Sequence, residues 1–333
     1  MSVKPFGNLT HRGQLGRLKG LALKALEAYP ITPTNVTPLV HLFNSTFQVE
    51  TKNGRFVLRI NRPNDRSQAE IRSEMQWLAS LRRETPLIVP DPLANLSGDL
   101  VTHIQVPGVL EPRDCVVFHW VEGSFYRKRL GPTALERVGS FMAHLHNHVQ
   151  QFDFPAGFVR PNLELDGEVG RLLQHGLKHG RELLTDEMCQ DMTRTVDVIR
   201  PKIDSLGKNN SVYNLIHADL HQGNYLFKKK TVRAIDFDDC GWGHLVYDMA
   251  ITFWYLGQHP ALPAMRTAFL KGYRSARPFS AEHESLIDTF MALRSLLMIS
   301  FMASERNPRI RQFAPQFIAS IHQRLQRYLQ TAD

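Results

Sequence analysis

The stretch that decides the fold runs from residue 217 to residue 224 and reads His-Ala-Asp-Leu-His-Gln-Gly-Asn; residues 235–239 follow it with Ile-Asp-Phe-Asp-Asp. The first segment offers the carboxylate of Asp219 on a polar loop, and five residues later the amide of Asn224. Twelve residues beyond that amide, Asp236 adds a second carboxylate at the end of a short predicted hairpin. Phosphoryl transfer needs a carboxylate to orient an acceptor hydroxyl and oxygen ligands for Mg²⁺ on the phosphates. The pattern therefore favours phosphoryl transfer.

The spacing of these groups resembles that of the aminoglycoside phosphotransferase/choline kinase family, whose members have a protein-kinase-like fold. His217, Asp219 and Asn224 reproduce the His-x-Asp-x-x-x-x-Asn of the kinase catalytic loop. Residues 235–239 look like the metal-binding segment of that family, and the Tyr-Asp at residues 247–248 resembles a downstream pair whose aspartate braces the catalytic loop. The resemblance implies an ATP-dependent kinase with Mg²⁺ as its metal.

The same resemblance assigns roles to single residues. It makes Asp219 the catalytic base and makes Asn224 and Asp236 magnesium ligands, while Asp238 touches a second metal and Asp239 is structural. The plainer interpretation is a polar turn followed by the end of a strand. It is disfavoured because the two motifs occur together, in order and at the spacing of the family.

A strand predicted over residues 55–61 carries the cation expected beside the phosphates. Strand alternation places Val57 and Arg59 on one face. The resemblance implies that Val57 lines the adenine pocket and that Arg59 reaches the phosphates. The usual residue there is lysine, but arginine can bind phosphate through two hydrogen bonds. Arginine at this position is similar to the homoserine-kinase-like and stress-response-kinase-like branch; a solvated strand residue is the alternative.

A helix predicted over residues 68–81 supplies the acid that would position Arg59. Glu74 is the favoured partner, and Glu70, one turn earlier on a similar face, is the competitor. The other nucleotide contacts are assigned by position in the family: Asn44, Ser45 and Thr46 in the nucleotide-covering turn, and Trp120 and Val121 in the hinge that binds adenine.

Two lobes are expected, in an α+β, protein-kinase-like fold. Residues 1–120 form a small β-rich N-lobe with one positioning helix, and residues 121–333 form a larger, mainly helical C-lobe that holds the catalytic loop, the metal segment and the acceptor pocket. The other predicted elements are a helix over 13–28, a strand over 40–51 joined to the next by Asn53-Gly54, a hairpin at 97–99, a strand over 114–121, a helix that begins at a Thr133-x-x-Glu136 capping box, and strands over 213–216, 224–227 and 233–237.

Composition limits the partners and the cellular compartment that we expect for the protein. The net charge of +8 comes without a long basic run, so we expect no nucleic-acid partner. Three cysteines lack CxxC pairing, the first residues lack an apolar signal core, and the apolar run over 296–303 is too short to span a bilayer. We therefore expect a cytoplasmic protein without a membrane partner. His144, His146 and His148 are expected to be structural, because the sequence supplies no third metal ligand.

The predicted reaction moves the γ-phosphate of ATP to a hydroxyl of a small metabolite, such as an amino alcohol or a homoserine-like compound. One alternative is a serine/threonine protein kinase of the stress-response type. Another is a non-catalytic nucleotide-binding scaffold, which Asp219, Asn224 and Asp236 disfavour because a binder needs no base. The acceptor, the choice between ATP and GTP, and the oligomeric state stay open.

Overall fold

The structure, a computed structural model, describes residues 4–126, 129–257 and 259–332. The chain forms two compact units. The first contains Met1–Gly123, Asp153–Val159 and Arg233–Asp238, and the second contains Ser124–Phe152, Arg160–Val232 and Asp239–Asp333. The two lobes expected at 1–120 and 121–333 stay a prediction.

The first unit is built around an antiparallel sheet. Its described elements are a 3₁₀ helix (Phe6–Asn8), α1 (His11–Leu26), β1 (Pro33–His41), β2 (Ser45–Thr51), β3 (Gly54–Ile60), α2 (Gln68–Glu84), β4 (Asp91–Leu93), β5 (Thr102–Ile104) and β6 (Arg113–His119). The strand order is β1-β2-β3-β6-β4, and β5 also pairs with β6. Phe47, Val49 and Leu58, on one face of β2 and β3, share a core with Leu21 and Ala25 of α1, because side chains alternate along a strand.

The hairpin predicted at Asn53-Gly54 is confirmed, since Thr51 of β2 pairs with Gly54 of β3. Helix α2 begins at a capping box in which the Ser67 side chain accepts from the N–H of Glu70 and the Glu70 side chain accepts from the N–H of Ser67. The predicted face of α2, with Ile71 among its members, is buried.

Two predicted strand features differ from the structure. The strand predicted over 40–51 breaks at residues 42–44, and β1 was not foreseen because it carries prolines, which an edge strand tolerates. The chain does turn at residues 97–99, but β4 and β5 pair with β6 and not with each other. The predicted second hairpin is therefore wrong.

The second unit is mainly helical. Its described elements are α3 (Pro132–Val149), α4 (Glu168–His179), α5 (Asp186–Asp204), β7 (Tyr213–Ile216), β8 (Tyr225–Lys228), β10 (Gly241–His244), α6 (Leu245–Leu256), α7 (Leu262–Arg274), α8 (Ala281–Ser285), α9 (Ile287–Ser304), α10 (Pro308–Arg311) and α11 (Ala314–Ala332). Strand β9 (Thr231–Ala234) pairs with β8, and β10, which was not predicted, pairs with β7.

Helix α3 begins differently from its prediction. Its N-cap is Gly131, which makes no side-chain capping bond, and Pro132 occupies the first turn. Proline suits this position because its missing N–H would have no partner there. The capping box predicted at Thr133 and Glu136 is therefore wrong.

Helix α3 and helix α7 approach closely through glycines. A Cβ atom on Gly139 would lie 2.0 Å from the carbonyl oxygen of Phe269, and one on Gly272 would lie 1.8 Å from that of Glu136. Such distances leave no room for a side chain. The contact places α7 against the helix that carries His146.

Among the described residues, one segment, Ala281–Ser304, is long and apolar enough to cross a membrane by length and composition, and its most apolar 18-residue window has a mean hydropathy of 1.6. Of its most apolar window, 67% is buried inside the protein. A core helix of a folded protein passes the same test, so the segment is weak evidence for a membrane span. The predicted burial of residues 296–303 agrees with Leu296 and Ile299, both fully buried in α9.

Candidate active site

The loop after β7 is held by a buried carboxylate. The N–H groups of His217 and Ala218 donate to Asp248 at 2.9 and 2.6 Å, and Asp248 is fully buried in α6. Ala218 has a φ of 64°, which costs an alanine about 1 kcal/mol or more. The two bonds to Asp248 offset that cost and fix the backbone immediately before Asp219.

A second layer holds Asp248 in turn. His146 of α3 lies 3.1 Å through Nε2 from Asp248 and 2.8 Å through Nδ1 from the hydroxyl of Tyr273. Burial lowers the pKa of His146 despite the hydrogen bond to Asp248, so the ring is neutral at pH 7. A neutral ring donates from Nε2 and accepts at Nδ1. His146 is structural, and His144 bonds the carbonyl of Ser140 in its own helix.

The carboxylate of Asp219 is engaged at both oxygens. Arg294 donates through Nη2 to Oδ1 at 2.6 Å. Oδ2 accepts from Nδ2 of Asn224 at 2.9 Å, and Nε2 of His221 lies 3.3 Å from it. Burial raises the pKa of Asp219, but the hydrogen bond from His221 and the charge of Arg294 outweigh burial, so the pKa lies below its ordinary value. The group is therefore an ionised and oriented carboxylate.

The amide of Asn224 is oriented by Asp219. Its Nδ2 donates to the backbone oxygen and to the carboxylate of Asp219, both at 2.9 Å. Because the nitrogen is used in this way, Oδ1 is the atom left to face a cation. An amide oxygen is a ligand of the kind that Mg²⁺ takes.

Three residues contact or surround Asp219 that the sequence did not assign to it. Besides Arg294 and His221 they include Tyr255, whose hydroxyl accepts from Arg294 at 3.0 Å and whose ring stacks on that of His221 with centroids 4.0 Å apart. The sequence did contain one signal for Arg294, which is the one basic residue of helix α9. A lone arginine in such a helix needs a partner.

In the first unit, Arg59 pairs with Glu74 and not with Glu70. The two bonds, from Nη1 and Nη2, measure 2.8 and 2.6 Å, and the side chains are 5% and 1% exposed. Burial by itself lowers the pKa of Arg59, but the charge of Glu74, and next that of Asp238, raise it overall. Glu70 is occupied by the capping box with Ser67. Val57 is half-buried, two residues before Arg59 on β3.

The segment predicted to bind metal is anchored in the first unit by an aromatic side chain. Phe237 is buried edge-on against Trp77, with ring centroids 5.3 Å apart. Asp236, on one side of it, is exposed and has a φ of 65°. Asp238, on the other side, lies 3.7 Å from Nη1 of Arg59 and accepts a hydrogen bond of 2.8 Å from Asn44. The segment thus presents the exposed carboxylate of Asp236 and the half-buried carboxylate of Asp238, which bonds Asn44.

The remaining predicted nucleotide contacts have other bonds. Ser45 is buried with its hydroxyl 2.8 Å from Nδ1 of His41, and Thr46 is half-buried on β2. The N–H of Trp120 donates to the carbonyl of Arg55 at 3.1 Å, and the guanidinium of Arg55 covers the indole ring at 4.7 Å. That amide is used within the protein. The roles of Ser45, Thr46, Trp120 and Val121 in nucleotide binding stay predictions.

Taken one by one, the side chains of Asn224 and Asp236 carry the kind of oxygen that Mg²⁺ takes as a ligand. Within residues 4–126, 129–257 and 259–332, no three His, Cys, Asp or Glu side chains gather as a metal cage. Mg²⁺ usually keeps several waters and takes one or two carboxylates together with substrate phosphates. The exposed carboxylate of Asp236 and the amide oxygen of Asn224 are ligands of that kind.

Replacing Glu74 with glutamine is expected to destabilise the fold by about 3–5 kcal/mol, because the buried guanidinium of Arg59 loses its nearest counter-charge. Urea unfolding measures the change. The matched control is Glu70→Gln on the same helix, whose capping contact is worth about 1 kcal/mol. Equal losses in the two variants would contradict the importance of the buried pair.

The comparisons with known proteins agree with this architecture. Residues 36–283 match the model of the phosphotransferase enzyme family, APH. A microcompartment-associated aminopropanol kinase superposes with a TM-score of 0.81 at 28% identity, covering 94% of this chain and 98% of that one. An amicoumacin kinase in complex with AMP-PNP, Ca²⁺ and Ami has a TM-score of 0.77 at 21% identity, covering 94% and 96%. The second likeness shows the fold alone.

A relative in Neisseria meningitidis, a homoserine kinase, is 27% identical over 257 residues, which are 74% of this chain and 75% of that one. The resemblance and the α+β, protein-kinase-like fold class predicted from the sequence are thereby confirmed. With its family model matched over residues 36–283, this chain belongs to the phosphotransferase enzyme family.

Proposed function

We propose that this phosphotransferase moves the γ-phosphate of ATP to a hydroxyl of a small metabolite. The observation that carries the proposal is Asp219, an ionised carboxylate held by Arg294 and Asn224 on a loop that Asp248 braces. A scaffold that only bound a nucleotide would have no use for such a carboxylate. The hydrogen bond from His221 and the charge of Arg294 keep the carboxylate ionised, the form in which it can accept a proton.

Each proposed role follows from the chemistry of one side chain. Asp219 accepts a hydrogen bond from the acceptor hydroxyl and takes its proton as the phosphoryl group moves. Asn224 and Asp236 would hold Mg²⁺ and Asp238 would touch a second metal, and these ions would supply positive charge beside the phosphates. Arg59, fixed by Glu74, donates to the phosphates. Positioning and charge stabilisation supply most of the catalysis.

For the acceptor we propose an amino alcohol or a homoserine-like compound. The proposal is supported by two similar proteins, one described as an aminopropanol kinase and one as a homoserine kinase. Both names denote a small molecule that carries a hydroxyl and an amino group. Here Asp219 would meet the hydroxyl.

The proposal also includes the cellular compartment and the division of the chain into two lobes. We place the protein in the cytoplasm, because Cys115, Cys189 and Cys240 are all buried and form no disulfide, as expected in a reducing compartment. We assign the nucleotide-covering sheet to an N-lobe of residues 1–120 and the catalytic loop and acceptor pocket to a C-lobe of residues 121–333.

ATP consumption with Mg²⁺ tests the function across pools of amino alcohols, homoserine, choline, amino sugars and a generic protein substrate. We expect turnover with one metabolite pool and none with the protein. Label transferred to the protein instead would favour the protein-kinase alternative. A nucleotide-induced thermal shift without turnover in any pool would favour the scaffold and overturn the proposal.

A further inference from the structure

The group nearest to the carboxylate of Asp219 comes from a distant part of the sequence. Arg294 lies in α9, 75 residues after Asp219, and its Nη2 atom is 2.6 Å from Oδ1. The arginine side chain is 7% exposed and the aspartate side chain 17%. Neither the catalytic-loop motif nor the metal segment includes this arginine.

Arg294 is itself held on a second side. Its Nη2 also donates to the hydroxyl of Tyr255 at 3.0 Å, and its guanidinium lies 5.4 Å from the centre of the Tyr255 ring. The ring of Tyr255 in turn stacks on His221, whose Nε2 is 3.3 Å from Oδ2 of Asp219. Asp219, Arg294, Tyr255 and His221 therefore form a closed ring of contacts that allows the carboxylate one orientation.

A contribution to folding stability does not by itself explain why Arg294 is paired with Asp219. Replacing a buried ion pair with well-packed apolar side chains is often neutral or stabilising. Arg294 also carries an unsatisfied group, because among the described residues its buried Nε has no hydrogen-bond partner. Arg294 is the one basic residue of helix α9, which buries Leu293, Leu296 and Ile299, so leucine or methionine would suit its core. An arginine placed here at such a cost points to a role at Asp219.

We propose that Arg294 is a positioning residue for Asp219, an assignment that rests on the proposed function. By occupying Oδ1, the guanidinium fixes the plane of the carboxylate while Asn224 and His221 hold Oδ2. The carboxylate then meets the acceptor hydroxyl in one geometry. Misplacement of a reacting group by about 1 Å can cost about 100-fold in rate. Arg294 acts through Asp219 and does not bind ATP.

The first test compares Arg294→Met with the wild-type protein in steady-state kinetics. We expect kcat to fall about 100-fold, with the KM for ATP unchanged. The matched control is Arg113→Met, since Arg113 is also buried, at 5% exposure, and pairs with Glu111 at the start of β6, away from the base. The control is expected to lower the thermal midpoint and to leave kcat unchanged. A wild-type kcat in Arg294→Met would overturn the assignment.

The second test asks whether the arginine acts through the base. In an Asp219→Asn background, Arg294→Met is expected to reduce kcat by no more than a few-fold, because the geometry it protects no longer serves proton transfer. In Arg294→Ala, millimolar guanidinium is expected to restore part of kcat, whereas equal NaCl is not. A full additional 100-fold loss in the double variant would place Arg294 on the phosphate or the acceptor and overturn the proposal.

Two other causes of lost activity need separate controls: a variant that does not fold, and a proposed kinase function that is itself wrong. If Arg294→Met does not fold, Arg294→Lys keeps the charge, and a wild-type kcat in that variant would overturn the need for a fixed guanidinium. If the wild-type protein itself shows no turnover in any acceptor pool, the proposed function fails and not merely the role of Arg294. The two failures are thus distinguishable.

Discussion

Replacing Asp219 with asparagine is expected to lower kcat by about 100- to 10,000-fold, the usual contribution of a general base. Asparagine keeps an oxygen for the guanidinium of Arg294 but cannot take a proton. It is a sharper test than Asp219→Ala, which would abolish turnover too but would also remove the oxygen that accepts the hydrogen bond from Arg294. ATP affinity should stay at the wild-type value, because the expected nucleotide ligands are other residues.

The measurement is ADP release under saturating ATP, with ATP affinity determined by calorimetry. A suitable control is Asp166→Asn, since Asp166 is 82% exposed and pairs on the surface with Arg200. That variant should behave as wild type in both assays. Near wild-type kcat in Asp219→Asn would mean that the carboxylate is structural, and so would equal loss of folding and of ATP binding.

Replacing Asp236 with asparagine is expected to weaken the binding of Mg²⁺–ATP by about 100-fold, because a metal contact is worth several kcal/mol. Asparagine is chosen because Asp236 has a φ of 65°, a conformation that asparagine adopts more readily than alanine. Phe237, packed on Trp77, should keep the segment in place. The change therefore removes charge and little else.

Calorimetric titration with ATP, in Mg²⁺ and in EDTA, separates the metal's contribution to ATP affinity from that of the direct contacts between protein and ATP. The wild-type protein should lose ATP affinity in EDTA, whereas Asp236→Asn should bind ATP equally weakly in both. Asp239→Asn, an exposed neighbour three residues along the chain, is the control and should keep its response to Mg²⁺. A normal response to Mg²⁺ in Asp236→Asn would contradict its assignment as a ligand.

Contacts between residues only a few positions apart could be predicted from the sequence. Asp219 and Asn224 meet because they lie on one short loop, so motif spacing was enough to place them together. The Asn53-Gly54 hairpin was predictable for the same reason. Periodicity could not choose between Glu70 and Glu74, because both lie on similar faces of α2. The choice depends on Ser67, whose capping box occupies Glu70.

Contacts between distant segments were not accessible from spacing. Arg294 reaches Asp219 only because α9 packs beside the loop after β7, and no motif records a separation of 75 residues. Edge strand β1 was missed since its prolines argue against a strand unless the pairing is known. The start of α3 was misplaced because Thr133 and Glu136 match a capping box that Pro132 pre-empts. In each case tertiary packing or a competing local rule decided the outcome.

The most direct test of the account follows the γ-phosphate itself. Phosphorus NMR on ATP, Mg²⁺ and the acceptor that gives turnover would identify the product for the wild-type protein and for Asp219→Asn. The account predicts that the γ-phosphate signal is replaced by a phosphate-ester signal in equal amount with ADP, only with acceptor present and only in the wild-type protein. Inorganic phosphate formed without any acceptor, or ester formed equally by Asp219→Asn, would contradict it.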